Sequence, residues 1–228
     1  MEPSPDSWQK TTVAARREAR LDMTVIPIPR ARRRTTRRRA PEIIDAAARV
    51  FAERGFHGAT TQDIADVLGI RQASLYYYFS SKEGALELVC LKGVEGFFES
   101  ARAIARAPGS ARERLGRLVR SHLSPLADCA DYVRVFLNER QHLPTESRRK
   151  IGKWSRGVEK IFEDVLKEGV RRGEFRHDLD TRLAALAMLG MLNAASSWYR
   201  QEDEPIERIS EEFTRLVLDG ALARADAR

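Results

Sequence analysis

Residues Thr60–Lys82 read TTQDIADVLGIRQASLYYYFSSK, and their pattern decides the fold. Thr60 followed three residues later by Asp63 is the signature of a capped helix start. Ile64, Ala65 and Leu68 then recur at helical spacing, and Gly69 ends this short helix. A second helix is expected from about Arg71 to Tyr78, and Ser81-Lys82-Glu83 opens a third. Ile64, Leu68, Ile70, Leu75 and Phe79 can form a small core that locks two helices at a steep angle, with Ala65 small where they cross. Two short helices joined by a tight glycine turn make a helix-turn-helix.

The core leaves Arg71, Gln72, Ser74, Tyr77 and Tyr78 on the outer face of the second helix. Arg and Gln can read base edges bidentately in the major groove, and Ser and Tyr donate to bases or phosphates. Thr61 and Gln62 open the preceding helix, where a hydroxyl and free backbone N–H groups suit a phosphate. Lys82, at the start of the third helix, suits one equally. Tyr76, Tyr77 and Tyr78 cannot all face one core, because successive helical side chains lie about 100° apart. At least one points outward.

Upstream, Pro41 suits a first helical turn, and Ile43, Ala47, Val50 and Phe51 follow at helical spacing until Gly55. Downstream, apolar stripes at 86–98, 115–126, 132–137, 151–170, 183–198 and 206–222 are separated by breaks at Pro108-Gly109, Pro144, Gly173 and Pro205. No alternating Val/Ile/Thr run argues for a strand. The fold class is all-α: an N-terminal three-helix module with the helix-turn-helix, joined to a larger C-terminal helical domain.

Composition agrees. The chain has 228 residues, 43% apolar and 32% charged, as in soluble globular proteins. No apolar run approaches the length of a membrane-spanning helix, and no stretch reads as a signal peptide. Cys90 and Cys129 lack CxxC spacing, so a disulfide scaffold or zinc ribbon is not expected. A cytoplasmic protein is the expectation, without a membrane partner. The charge is uneven. Residues 1–40 hold eleven Lys/Arg and four Asp/Glu, whereas the rest holds 29 of each, and seven arginines fall between Arg30 and Arg39. A disordered basic arm over residues 1–37 is expected, directed at a polyanion. Met23, just ahead of the arginine run, is a second candidate start of translation.

Residues 38–98 resemble the DNA-binding domain of the tetracycline-repressor (TetR) family of bacterial transcription regulators. The resemblance is carried by Ile43-Ile44-Asp45-Ala46-Ala47, Phe51-Ala52-Glu53-Arg54-Gly55-Phe56, Thr60-Thr61, Ile64-Ala65, Leu68-Gly69-Ile70, Leu75-Tyr76-Tyr77-Tyr78-Phe79 and Ser81-Lys82-Glu83. It implies that Thr61, Gln62, Gln72, Ala73, Ser74, Tyr76, Tyr78 and Lys82 occupy DNA-contact positions. Arg71-Gln72 departs from the Ser-Lys frequent in the family, so an operator sequence does not carry over. For residues 99–228 the resemblance implies a regulatory and dimerisation domain. The last two helices, about 180–199 and 205–224, would form a homodimer's four-helix bundle. The first would approach through Ala184, Ala187, Gly190 and Ala194, and the second through a stripe of Ile206, Ile209, Phe213, Leu216 and Val217.

The resemblance also implies a small-molecule effector between the central helices. Bulky, adaptable side chains there make His122, Phe136, Trp154, Phe162, Met188, Met191 and Trp198 candidate pocket residues. The stretch Gly190–Arg200, GMLNAASSWYR, resembles members that sense acyl-CoA thioesters, although Ala194 stands where several of them carry tryptophan. His57, His122, His142 and His177 show no HExxH or i,i+4 pairing, so no metal site and no cofactor are expected. No phosphate loop, GxSxG elbow or Cys/His signature points to an enzyme. The expected function is a DNA-binding regulator, most often a repressor, released from double-stranded operator DNA by its ligand. The rival is a basic architectural nucleic-acid binder that senses nothing.

Deleting residues 1–39 is expected to weaken DNA binding while leaving the preferred sequence largely intact. If three or four arginines of the arm meet phosphates, the slope of log K against log salt flattens by about three units per chain. Titrations at several salt concentrations read this directly, and an unchanged slope removes the arm from the interface.

Overall fold

The computed structural model describes residues 30–221, with side chains from Arg39 onward. Met23 and residues 1–29 of the expected basic arm lie outside the described residues. The described residues hold nine α-helices and no strand. They are α1 (Arg30–Gly58), α2 (Thr61–Val67), α3 (Lys82–Arg106), α4 (Ala111–Leu123), α5 (Pro125–Asp128), α6 (Ala130–Asn138), α7 (Thr145–Arg171), α8 (Thr181–Trp198) and α9 (Ile206–Ala221). Three short 3-10 helices, Gln72–Tyr77, Arg140–His142 and Tyr199–Gln201, lie between them. The all-α reading holds.

Helix α1 begins at Arg30 and passes through Pro41, so a disordered arm to residue 37 and a helix start at Pro41 are both corrected. Pro41 removes one ladder donor, but the flanking Arg and Ala are good helix formers. The helix breaks at Gly55, whose φ of 68° is open to glycine at no steric cost. From Arg38 onward the chain packs as one unit.

At α2 the capping pattern is realised on both sides. The Asp63 N–H donates to Thr60 Oγ1 at 3.1 Å, and the Thr60 N–H donates to Asp63 Oδ2 at 2.8 Å. At its other end Gly69 takes φ 60°, and the Ile70 N–H closes back onto the Ala65 carbonyl at 3.0 Å. That turn aims the chain into the next segment. There the expected α-helix over 71–78 is instead a 3-10 helix, Gln72–Tyr77. Six residues rich in χ1-restricted aromatics gain little from α geometry, and three residues per turn put Gln72, Leu75 and Tyr78 on one side. Leu75 on that side is fully buried, with Phe79 close behind it.

Two apolar cores share α3. The first joins Ile43, Val50 and Phe51 of α1 to Ile64, Leu75, Leu86 and Val89, and it also takes in Val135 and Phe136 of α6. The second gathers Leu115, Leu118, Phe162, Leu166, Leu192 and Ile209 around Ala101. A boundary at residue 98 thus falls inside one continuous 25-residue helix. Arg114, buried in α4, bonds the Ala105 carbonyl at 3.0 Å and pairs with Glu168 of α7 at 2.7 Å, fastening the far end of α3.

The stripe expected on the last helix divides. Ile206, Ile209 and Val217 are buried within the chain. Phe213 packs edge-on against Trp198, with ring centroids 6.0 Å apart. Leu216 alone of the five stands out, 61% exposed. An i, i+3/i+4 stripe on one helix covers more arc than a single neighbour can bury, which is why sequence spacing did not separate the two roles.

Candidate nucleic-acid interface and ligand chamber

The 3-10 helix presents an outward ridge. Tyr76 and Tyr77 are 56% and 58% exposed, Arg71 and Ala73 are exposed beside them, and Ser74 is half-buried. Tyr78 packs against the first core instead. Gln72 Nε2 donates to Thr61 Oγ1 at 2.6 Å, tying the ridge to the start of α2. Gln62 is exposed and bonds Asp66 at 2.6 Å. The structure therefore brings Thr61, Gln62, Arg71, Gln72, Ala73, Ser74, Tyr76 and Tyr77 onto one surface, and turns Tyr78 inward.

Lys82 is the other departure. Its Nζ donates to the carbonyls of Phe56 and Ala59 at 2.8 and 3.0 Å, and lies 4.4 Å from the centre of the Phe56 ring. It satisfies orphan carbonyls at the end of α1 and fastens α1 to α3, with one of its three N–H donors left over for a phosphate.

Behind this surface lie two cavities that share Phe97 and Val133. The larger, 650 Å³, is bordered by Asp45, Lys92, Asp128, Asp131, Tyr132 and Arg200, with three carboxylates against two cations. The smaller, 280 Å³, is an apolar chamber between α3, α4, α6, α7 and α8, walled by Phe97, Val133, Phe136, Leu137, Val158 and Leu189. Its polar floor is His122, whose Nε2 lies 2.9 Å from Asn193 Oδ1. Burial pushes the His122 imidazole below its ordinary value, and the bond to Asn193 opposes this only in part. The pair is neutral: His122 donates to Asn193, and the Asn193 amide keeps its own N–H donors for a ligand.

Of the candidate pocket residues, His122 and Phe136 line this chamber. The other five do not border this chamber and pack as follows. Phe162 is fully buried in the second core, Met188 and Met191 pack into that core, Trp154 meets Phe98 edge-on at 5.0 Å, and Trp198 meets Phe213. Bulk marks a core residue as readily as a pocket wall. Asn193 was the missed signal, a lone amide between Leu192 and Ala194 on an apolar helix. The paired histidines were invisible in the sequence: the rings of His57 and His142 approach to 4.4 Å, with Phe56 stacked on His142. Cys90 is buried and its thiol is pushed up to about 12, which leaves it inert. No group of three potential metal ligands occurs among the described residues.

Residues 43–89 match the family model for bacterial regulatory proteins of the tetR family, and residues 108–221 match the tetracyclin repressor-like C-terminal domain. The chain belongs to the TetR family. It is 30% identical over 184 residues to the HTH-type transcriptional repressor KstR2 of Rhodococcus jostii (strain RHA1), a match covering 80% of this chain and 90% of that one. The structure of the ketosteroid transcriptional regulator KstR2 of Mycobacterium tuberculosis superposes with a TM-score of 0.76 at 28% identity, over 82% of this chain and 96% of that one. The transcriptional regulator FadR from Bacillus subtilis, solved in complex with stearoyl-CoA, gives 0.67 at 28% identity, over 79% and 98%. This TetR-family chain is thus a DNA-binding transcriptional regulator, and no helix among its described residues is long and apolar enough to cross a membrane.

Two substitutions separate reading from fastening. Tyr76→Ala removes an exposed side chain, so operator affinity is expected to fall by about 1–3 kcal/mol while stability moves by less than about 0.5 kcal/mol. Lys82→Met strands two carbonyls, so the thermal unfolding midpoint drops, with a cost of about 1–3 kcal/mol. Lys82→Met with wild-type stability and uniformly weakened DNA binding would restore the phosphate role.

The chamber also sets a pH dependence. A base whose folded pKa is depressed takes up its proton more readily when unfolded. Its contribution is therefore fully present above the ordinary histidine value of 6.5 and declines as pH falls below it. Thermal unfolding of His122→Gln is expected to lack this component of the acid-side decline. Parallel curves for the variant and the wild type would mean that the imidazole is not the titrating group.

Proposed function

We propose that this TetR-family regulator is a homodimeric repressor that an acyl-CoA thioester releases from its operator. The observation that carries the reading is the neutral His122–Asn193 pair at the floor of an apolar chamber. A hydrocarbon chain matches the walls, and the free Asn193 N–H matches a thioester carbonyl, which accepts one hydrogen bond and carries no charge. The names of the relatives support it: KstR2 is a transcriptional repressor, and FadR was solved with stearoyl-CoA.

The DNA contacts in this reading are Thr61, Gln62, Arg71, Gln72, Ala73, Ser74, Tyr76 and Tyr77. Two such surfaces must reach successive major grooves, about 34–36 Å apart. The ligand acts only through its differential affinity for the DNA-competent and released states. No catalysis is required, and the protein works in the cytoplasm at its operator. Dimerisation uses the outward stripe of α8, where Leu183, Ala187, Gly190, Ala194 and Ser197 recur at helical spacing and are exposed, together with Leu216 of α9. Small residues there let a second helix approach closely.

Gel shifts with excess competitor DNA test the whole reading. Acyl-CoA is expected to release a shifted operator fragment, whereas retention at all concentrations would favour a binder that senses nothing. Leu216→Glu tests the dimer. Because Leu216 is exposed in the single chain, the variant is expected to fold with normal helical content, sediment as a monomer and lose operator binding, an unpaired charge in the interface costing several kcal/mol. A folded dimer that still binds places the interface elsewhere.

A further inference from the structure

The ligand chamber does not end at its apolar walls. A second cavity of 340 Å³ adjoins it and shares three of its residues, Arg140, Ser155 and Glu159. We propose that this outer groove is a phosphate subsite, held by Arg140, Arg148 and Arg156, that takes the phosphorylated head of an amphipathic effector whose acyl end fills the chamber. The proposal rests on the acyl-thioester reading above and specifies where the rest of such a molecule lies.

Four observations converge on it. First, the charge is uncompensated. Among the described residues none of the three arginines has a carboxylate within ion-pair distance, and the groove's one acid, Glu159, is already paired with Arg182 at 3.3 Å. Second, the spacing suits an extended anion. Arg148, Gly152 and Arg156 follow one another at i, i+4 and i+8 along α7, so two like charges share one helix face about 12 Å apart, a length over which a head with separated phosphates can bridge them. Arg156 lies back over Gly152, where a Cβ would meet its Nη1 at 3.2 Å, so the missing side chain makes room for the guanidinium within the groove.

Third, two of the three guanidinium groups are positioned by neighbours. Arg140 lies 4.9 Å from the centre of the Phe136 ring, itself a chamber wall, and Arg148 Nη2 donates to Thr145 Oγ1 at 3.3 Å. Forked guanidinium groups suit phosphate oxygens better than a lysine point charge does. Fourth, the passage between the two cavities carries an unmet polar atom. Ser155 Oγ is buried without a hydrogen-bond partner and borders both spaces, as a group between an acyl tail and a phosphorylated head would require. The larger cleft beside Tyr132 is less suited to such a head, because its two cations, Lys92 and Arg200, are already paired with Asp45 and Asp131.

Calorimetric titration of octanoyl-CoA, CoA alone and octanoate into the full-length wild type and into Arg148→Ala/Arg156→Ala tests this, a short acyl chain being chosen because the 280 Å³ chamber lies just below the usual range of about 300–1,000 Å³. The double variant is expected to lose tenfold or more in affinity for octanoyl-CoA and for CoA, and to keep its affinity for octanoate. Operator affinity without effector should stay within twofold, since neither arginine belongs to the DNA-reading surface. If both proteins bind octanoyl-CoA equally, the subsite is wrong and the acyl-thioester reading survives. If the wild type binds octanoate but neither CoA compound, or none of the three, both fall. A loss of operator affinity with a flatter salt slope in the variant would assign the arginines to the DNA backbone and overturn the proposal.

Discussion

Helix α6 is fixed to α1 at both of its ends, and the coupling between the two sites depends on that clamp. At its first turn the Tyr132 hydroxyl donates to Asp45 of α1, which also accepts from Lys92 of α3 at 2.7 Å. Just past its last turn Glu139 Oε2 accepts the Phe56 N–H at 2.8 Å, where α1 is ending. Burial works to raise the Asp45 pKa, but the bonds from Lys92 and Tyr132 outweigh it and keep the carboxylate charged. Between the two clamps, Val133, Phe136 and Leu137 form a wall of the chamber. An object that displaces that wall pulls on α1 at two points. The exposed Asp45 clamp is screened by solvent and contributes about 0–1 kcal/mol, the part-buried Glu139 bond about 1.5–3 kcal/mol, and a hundredfold change in operator affinity needs about 2.8 kcal/mol. Weakening the Glu139 clamp is therefore of the right size to couple the sites.

Helix α3 transmits the same pull along a second route. Its first residue, Lys82, holds the carbonyls that end α1, its middle contributes Val94 and Phe97 to the chamber, and its far end is fastened through Arg114. Close-packed cores on both sides leave it little freedom to bend, so under the proposed release mechanism a shift at the chamber would reach Lys82 as a tilt. Lys82 also holds the Ala59 carbonyl, one residue before the Thr60 cap of α2, which links α3 to the start of the reading surface.

What the sequence made legible follows from range. The capping box at Thr60, the αL turn at Gly69 and the core residues Ile64, Leu75 and Phe79 are local patterns, and each is realised. Residues whose role depends on distant partners were not legible. Lys82 reads as a free cation until Phe56 and Ala59 are seen beside it. Tyr132 reads only as the start of an apolar stripe and Glu139 carries no signal at all, since their partners lie 87 and 83 residues away. The 3-10 form of residues 72–77 was equally hidden, because the choice between three and 3.6 residues per turn is made by how Leu75 seats in the core. Aromatic bulk misled in the chamber for a simple reason: a wall must leave space, and the bulkiest side chains are those that fill it.

The chamber and the proposed dimer face are not independent. Leu186 and Gly190 line the chamber, yet both are exposed on α8, beside the outward stripe of Leu183, Ala187 and Ala194. A wall that is one helix thick, with an effector on one side and a second subunit on the other, cannot yield to the first without shifting its contact with the second. Glycine at 190 makes that wall thinnest, since no Cβ intervenes. In the dimer proposed above, the spacing between two reading surfaces is set by how α8 meets its counterpart. An effector that presses on Leu186 and Leu189 therefore acts on that spacing directly, in the same event that loads the α6 clamp. Both effects oppose DNA binding, which requires the reading surface to be aimed and the two surfaces to be spaced at once. In the proposed dimer a small displacement at one chamber would thereby be read twice, once within the subunit and once between subunits.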